Sequence, residues 1–152
     1  MKKIRTLGFT LIELLVVISI IGILASIVMA SLGVSRRKGT NANVQTSFAQ
    51  IRSQATFYVN DNGNYGSVAV SNGSCSTPNT VFMDTSMQKL ITALQTTVGL
   101  TLICNNTTGQ NPAWAVSTRL PQAIGSNNFI CTDANNALKY SAASPGNVSV
   151  CP

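Results

Sequence analysis

The fold of this chain is decided by its N-terminal segment, GFTLIELLVVISIIGILASIVMASLGV, residues 8–34. Residues 14–34 carry no charged side chain, and at about 1.5 Å per residue a helix of that length crosses a hydrocarbon core of about 30 Å. A secretory signal peptide would end in a small-residue cleavage site, but Ala25 and Ala30 lie inside the apolar run. We therefore expect a membrane-spanning helix that stays on the protein.

Basic residues form two small clusters, one on each side of the apolar run. They are Lys2, Lys3 and Arg5 before it, and Arg36, Arg37 and Lys38 after it. Such clusters are typical of helix ends that contact lipid headgroups. The other basic residues are scattered without interleaved aromatics, so no specific nucleic-acid surface is predicted.

An acidic residue, Glu13, lies near the start of the apolar run. On insertion scales an unpaired carboxylate near the middle of a bilayer costs about 2.5–3.5 kcal/mol, and it costs less near the interface. Glu13 is therefore either a tolerated interfacial carboxylate or a charge that awaits a partner.

Residues 8–13, GFTLIE, follow a short basic leader and precede the apolar run. Together these features resemble the processing motif of type IV pilins and pseudopilins. In that family a prepilin peptidase cuts after the glycine and methylates the new N-terminal amine. The resemblance implies a cut between Gly8 and Phe9. It also implies that Glu13 pairs with the amine of Phe9 in a neighbouring subunit during assembly.

The same resemblance implies a structural role. The expected function is that of a subunit of a type IV pilus-like or pseudopilus filament. The expected partners are copies of itself and other pilins, the prepilin peptidase, the inner-membrane assembly platform and membrane lipid. Type IV pilus, secretion pseudopilus and competence pseudopilus all stay open.

Orientation and location follow from the leader and the cysteines. Three basic residues lie on each side of the span, so the positive-inside count does not choose an orientation. The leader motif and the position of the cysteines indicate that the N-terminus lies inside the cell and the domain outside the membrane. We expect a single-pass protein of the inner (cytoplasmic) membrane that later joins an extracellular filament or a pseudopilus.

Four cysteines lie beyond the apolar run, at Cys75, Cys104, Cys131 and Cys151. Without histidine or a C-x-x-C pair they do not form a zinc pattern, and an even number fits two disulfides in an oxidising compartment. Three connectivities are possible. Sequential pairing closes the shortest loops and is preferred, and its second loop, from Cys131 to Cys151, resembles the disulfide-bounded loop of many pilins.

The pattern beyond residue 35 predicts a long first helix. Apolar residues recur at helical spacing on one face; they are Val44, Phe48, Ile51, Ala55 and Tyr58. Residues 60–64, NDNGN, are suited to a helix end and a turn. We expect a helix of about fifty residues, far longer than the average of about 11–12 in globular proteins.

A small sheet and a second helix are expected after it. Residues 65–83 are interpreted as an irregular loop, and Thr85-x-x-Gln88 as a capping box that opens a short helix. Strands are predicted at 100–104, between Pro112 and Pro121, at 129–132 and at 137–141, with a hairpin turn at 133–136. The result is an α+β, pilin-like fold, in which the long helix packs on an antiparallel sheet of three or four strands.

The expected division of the chain has four segments. They are a leader at 1–8, a transmembrane and polymerisation helix at 9–35, its amphipathic continuation at 36–60 and a globular pilin-like domain at 61–152.

Catalysis is not predicted. The chain has no histidine and only four acidic residues, and no phosphate or dinucleotide motif occurs. No enzyme activity, cofactor or metal site is therefore expected. The alternative to a main structural subunit is a minor tip pilin that acts as an adhesion or DNA-uptake module. Trp114 and Arg119 fall on opposite faces of one strand, which argues against a joint binding site.

Overall fold

The structure, a computed structural model, describes residues 8–109, 112–135, 138–146 and 148–152. The chain divides into two compact units, Met1–Arg37 and Lys38–Pro152. Helix α1, Leu11–Asn62, supplies the first unit and begins the second. The predicted basic cluster Lys2, Lys3 and Arg5 lies outside the described residues.

The first unit consists of the apolar part of α1. Its large apolar side chains are exposed in the isolated chain, and the helix is long and apolar enough to cross a membrane. Two of its serine hydroxyls bond within the helix: Ser19 donates to the carbonyl oxygen of Leu15 (2.8 Å) and Ser26 to that of Ile23 (2.7 Å). Internal hydrogen bonding of this kind is required where water is absent.

In the second unit, α1 buries one face against the domain. Val44, Phe48, Ile51 and Ala55 are completely buried, which confirms the predicted apolar face. The helix ends at Asn62, and Gly63 follows with a φ of 73°. The Gly63 amide donates to the carbonyl oxygen of Val59 (2.7 Å), a left-handed cap for which glycine has no steric cost.

Helix α2, Thr85–Thr97, starts differently from the prediction. The capping residue is Asp84, whose Oδ1 accepts the amides of Ser86 (2.9 Å) and Met87 (3.1 Å). The Gln88 side chain does not bind the backbone amide at the start of the helix, as a capping box would require. Its Nε2 donates to two carbonyl oxygens, those of Cys75 (2.7 Å) and Phe82 (2.6 Å). The predicted capping box at Thr85 and Gln88 is therefore wrong, because a carboxylate one residue earlier takes the cap and the glutamine binds the preceding loop.

The sheet has five antiparallel strands in the order β1-β2-β3-β4-β5. They are β1 Val70–Gly73, β2 Leu102–Asn106, β3 Trp114–Ile124, β4 Asn127–Asp133 and β5 Leu138–Ser141. This confirms the α+β layout. The count exceeds the expected three or four because β1 lies within the segment interpreted as a loop. A 3₁₀ turn, Val81–Met83, lies in the same segment.

Strand β3 continues past the proline that was expected to end it. Pro121 lies within β3, where the pairing with β4 is interrupted between Arg119 and Ile124. Proline has no N–H to donate, so it is tolerated where a bulge leaves a ladder position unpaired.

The core of the second unit lies between α1, α2 and one face of the sheet. Trp114 is its largest fully buried side chain, and its ring meets that of Tyr65 edge-on at 6.3 Å between centroids. The other completely buried apolar side chains are Val44, Phe48, Ile51, Ala55, Val81, Phe82, Met87, Cys104, Val116 and Ile130.

Two disulfides close the domain with sequential pairing. Cys75 is bonded to Cys104, and Cys131 to Cys151, with Cα–Cα distances of 5.1 and 5.8 Å. The first bond ties the loop before α2 to β2. The second ties the C-terminal segment to β4.

A side-chain amide joins α1 to the far end of β3. Asn41 donates from Nδ2 to the carbonyl oxygen of Gln122 (2.6 Å) and accepts the Gln122 amide at Oδ1 (3.2 Å). Asn41 is nearly buried, so this reciprocal pair satisfies the polar groups that packing removes from water. No sequence pattern indicated a role for Asn41.

The packing predicts very different costs for two phenylalanines of α1. Phe48→Ala should lower the free energy of unfolding by about 3–5 kcal/mol, because it leaves a cavity in the core. Phe57 is 58% exposed on the same helix, so Phe57→Ala is the matched control and should leave it nearly unchanged. Thermal unfolding of the full chain in detergent, followed by circular dichroism, measures both. Equal effects of the two substitutions would contradict this assignment of the core.

Candidate processing and assembly site

The predicted processing site lies just before the first turn of α1. Gly8, Phe9 and Thr10 are exposed and not helical, and the Phe9 side chain is 77% exposed. A Cβ placed on Gly8 would meet nothing within 4 Å. The packing of this chain therefore does not require glycine at position 8.

Thr10 and Glu13 form a reciprocal capping box at the start of α1. Glu13 Oε2 accepts the Thr10 amide (2.9 Å) and the Thr10 hydroxyl (2.7 Å). In return, the Glu13 amide donates to Thr10 Oγ1 (3.3 Å). This is the Thr-x-x-Glu arrangement in which cap and third residue satisfy each other's amides. A carboxylate here also lies at the positive end of the helix dipole.

The capping box changes the interpretation of Glu13. The sequence left Glu13 as either a tolerated interfacial carboxylate or a charge that awaits a partner, whereas its Oε2 accepts two hydrogen bonds from Thr10 of the same chain. Among the described residues, Oε1 makes no hydrogen bond. The sequence signal for this contact is the Thr-x-x-Glu spacing of Thr10 and Glu13.

The surroundings of Glu13 are apolar. An open groove is lined by Phe9, Ile12, Val16 and Val17 together with Glu13. A carboxylate on such a surface would be desolvated by any apolar covering, lipid or protein. The remaining oxygen would then need a donor or a positive charge.

The second basic cluster is exposed on α1. Arg36, Arg37 and Lys38 follow the apolar run along the helix and all point to solvent in the isolated chain. They occupy the position at which headgroup-binding residues are found beside a membrane helix.

The other candidates from the sequence do not form a second site. Trp114 is buried and Arg119 is exposed, so the two do not share a surface. Asp133 is buried; its Oδ1 accepts the Asn135 amide (2.9 Å) and its Oδ2 the Cys151 amide (2.8 Å). Within the described residues, no group of three or more metal-ligating side chains occurs.

Comparison with known proteins gives one match. Residues 5–29 match the family model of the prokaryotic N-terminal methylation motif. No curated protein and no solved structure matches the chain significantly. The matched residues contain Gly8, Phe9, Thr10 and Glu13, the group whose geometry is described above. The match and the apolar helix together fit membrane anchoring.

The capping box predicts a specific effect of removing the Thr10 hydroxyl. Thr10→Ala should fray the first turn of α1, because a threonine cap contributes about 0.5–2 kcal/mol. Hydrogen exchange of the full chain in detergent micelles should show faster exchange at the amides of residues 10–14.

The matched control for this change is Thr46→Ala. The Thr46 hydroxyl also donates on α1, to the carbonyl oxygen of Ala42 (3.0 Å), but inside the helix. Thr46→Ala should leave exchange at residues 10–14 as in the parent chain. Unchanged exchange in Thr10→Ala would show that the capping box does not hold this turn.

Proposed function

We propose that this chain, which carries the prepilin-type cleavage and methylation motif of type IV pilins and pseudopilins, is a structural subunit of a pilus-like or pseudopilus filament. The observation that carries the proposal is the motif match over the residues that present an exposed Gly8–Phe9 bond and a glutamate at the head of an apolar helix. The motif points to a structural subunit rather than an enzyme and implies processing by prepilin peptidase.

Processing creates the charge that assembly uses. Hydrolysis of the bond between Gly8 and Phe9 releases the leader 1–8 and leaves an amine on Phe9, which the peptidase then methylates. A methylated amine keeps its positive charge. The exposure of Phe9 and the non-helical backbone around the bond support access by a peptidase.

Assembly brings the Phe9 amine of one subunit to Glu13 of its neighbour. Thr10 satisfies one carboxylate oxygen of Glu13 within the subunit, and the other is available to the incoming amine. In an apolar medium a carboxylate and an ammonium ion attract strongly, and a lone charge of either sign is costly. The contact therefore selects a defined stagger between neighbouring helices.

The apolar part of α1 has two successive environments in this proposal. In the membrane-stored subunit its exposed side chains contact lipid, with the N-terminus inside and the domain outside. In the filament they contact the same helices of other copies, so little apolar surface meets water at any step. An inner-membrane assembly platform would transfer subunits from one state to the other.

The four segments of the chain then have separate roles. Residues 1–8 are the leader, 9–35 the spanning and polymerising helix, 36–60 its continuation under the domain and 61–152 the outer domain. A tip-located adhesion or DNA-uptake module is less well supported, because Trp114 is buried and so does not share a surface with the exposed Arg119.

Processing predicts a defined product in the native host. Intact-mass spectrometry of the membrane-associated protein should find a chain that begins at Phe9 and carries one additional methyl group. Gly8→Leu should leave the leader attached, because a bulky side chain replaces the glycine of the cleavage motif. Recovery of the parent chain with residues 1–8 still attached would contradict the proposal.

The charge of Glu13 can be separated from its capping role. Glu13→Gln keeps an acceptor for Thr10, since glutamine also serves in capping boxes, but it cannot neutralise an ammonium ion. We expect this variant to be folded, cleaved and membrane-bound, and to yield few or no filaments in the sheared surface fraction. Normal filament yield from Glu13→Gln would rule out the proposed charge pairing. Ser19→Ala, one to two turns later on α1, is the control and should assemble normally.

A further inference from the structure

In the proposed function, the basic cluster Arg36, Arg37 and Lys38 leaves the anionic headgroups of the bilayer when a subunit joins the filament. In the bilayer, anionic headgroups lie beside it. In a filament no lipid surface adjoins these residues, and three adjacent positive charges repel one another and those of neighbouring copies. A polymer of this chain therefore gains stability from any carboxylate that reaches this level of α1.

The domain offers two such carboxylates, and they lie together. Of the acidic residues after Lys38, Asp133 is buried and bound to backbone amides. The other two, Asp61 at the end of α1 and Asp84 at the start of α2, line one groove. Asp84 caps α2 through Oδ1, and neither Asp84 Oδ2 nor Asp61 makes a hydrogen bond among the described residues.

An exposed aromatic ring lies at the same place. Phe57 lines the groove with Asp61 and Asp84 and also borders a second groove along α1. Its side chain is 58% exposed, whereas the other described aromatic side chains of the second unit are buried or half-buried. An aromatic face beside carboxylates suits a basic side chain, since the ring attracts the cation and the carboxylates neutralise it.

We propose that the groove formed by Phe57, Asp61 and Asp84 binds the basic cluster Arg36, Arg37 and Lys38 of a second copy of this chain. The proposal rests on the filament function argued above and names the contact that holds the outer part of the subunits together. It commits to a second copy because the basic cluster is the densest positive charge outside the leader. The groove holds a carboxylate that is exposed, Asp61, and one that is half-buried, Asp84.

The contact can only form between copies. Lys38 and Asp61 both lie on α1 and in the same unit, so they are about 35 Å apart at about 1.5 Å per residue. No side chain spans that distance. Pairing Lys38 of one copy with Asp61 of another therefore requires two parallel α1 helices that are staggered by about the same length.

Carbodiimide crosslinking of native filaments tests the contact directly. This reagent joins an amine to a carboxylate without a spacer, so a Lys38–Asp61 amide bond proves contact between copies. Trypsin separates the two sites because it cleaves at Arg52 between them. We expect the crosslinked peptide pair in filaments and its absence from detergent-dispersed subunits. Filaments in which Asp61 links only to other lysines would overturn the proposal.

Charge reversal supplies an independent test in the full chain. Lys38→Asp and Asp61→Lys should each lower the yield of sheared filaments at least about tenfold, because like charges then face each other. The double variant carries both changes in every copy and should recover most of the yield. Lys89→Asp makes the same charge change at another exposed position and should assemble normally.

The outcomes distinguish this proposal from the filament function. If both single variants assemble normally while Glu13→Gln does not, the groove contact is wrong and the filament function stands. If the double variant fails as severely as the single ones although it is folded and processed, the direct pairing is also wrong. If the parent chain is processed but never polymerises, both proposals fail.

Discussion

The Glu13 carboxylate, placed at the head of an apolar helix and bound by Thr10 on one oxygen only, is the constraint on which the proposed biology depends. Lipid tolerates such a group near its surface but stabilises it poorly. The capping box offsets part of the cost within a single subunit, through two hydrogen bonds to Oε2. It leaves the charge itself unneutralised, so an ammonium ion on a neighbouring chain remains favourable.

The second unit, Lys38–Pro152, also carries few charged side chains. Two disulfides hold it together, and among the described residues its one buried carboxylate, Asp133, accepts the amide of Cys151. Lys139 donates to the carbonyl oxygen of the same cysteine (3.0 Å). Because charged side chains are few in this chain, the clustered ones would contribute most to contacts between copies in the proposed filament.

Sequence patterns predicted the long helix, its buried face and the α+β layout because these depend on regular spacing along the chain. They failed where a single side chain overrides a local pattern. The Asp84 side chain caps α2, although the sequence pattern had indicated Thr85. Strand β3 continues through Pro121 because its pairing with β4 is interrupted there by a bulge. Two contacts were not predicted, the cap at Thr10 and the hydrogen bonds between Asn41 and Gln122. The cap has a recognisable sequence pattern, Thr-x-x-Glu, whereas Asn41 and Gln122 are far apart in sequence.

The two hydrogen bonds between Asn41 and the backbone of Gln122 also have a mechanical meaning. In the proposed filament, tension would load each subunit through α1, and that load would reach the sheet. Asn41 lies three residues after the start of the second unit, where a pull along α1 would first act to separate the helix from the strand. Both hydrogen bonds join the same two residues, so separating α1 from β3 would stretch both at once. Breaking two bonds together takes more force than breaking them one after the other, so the Asn41 amide would resist this separation.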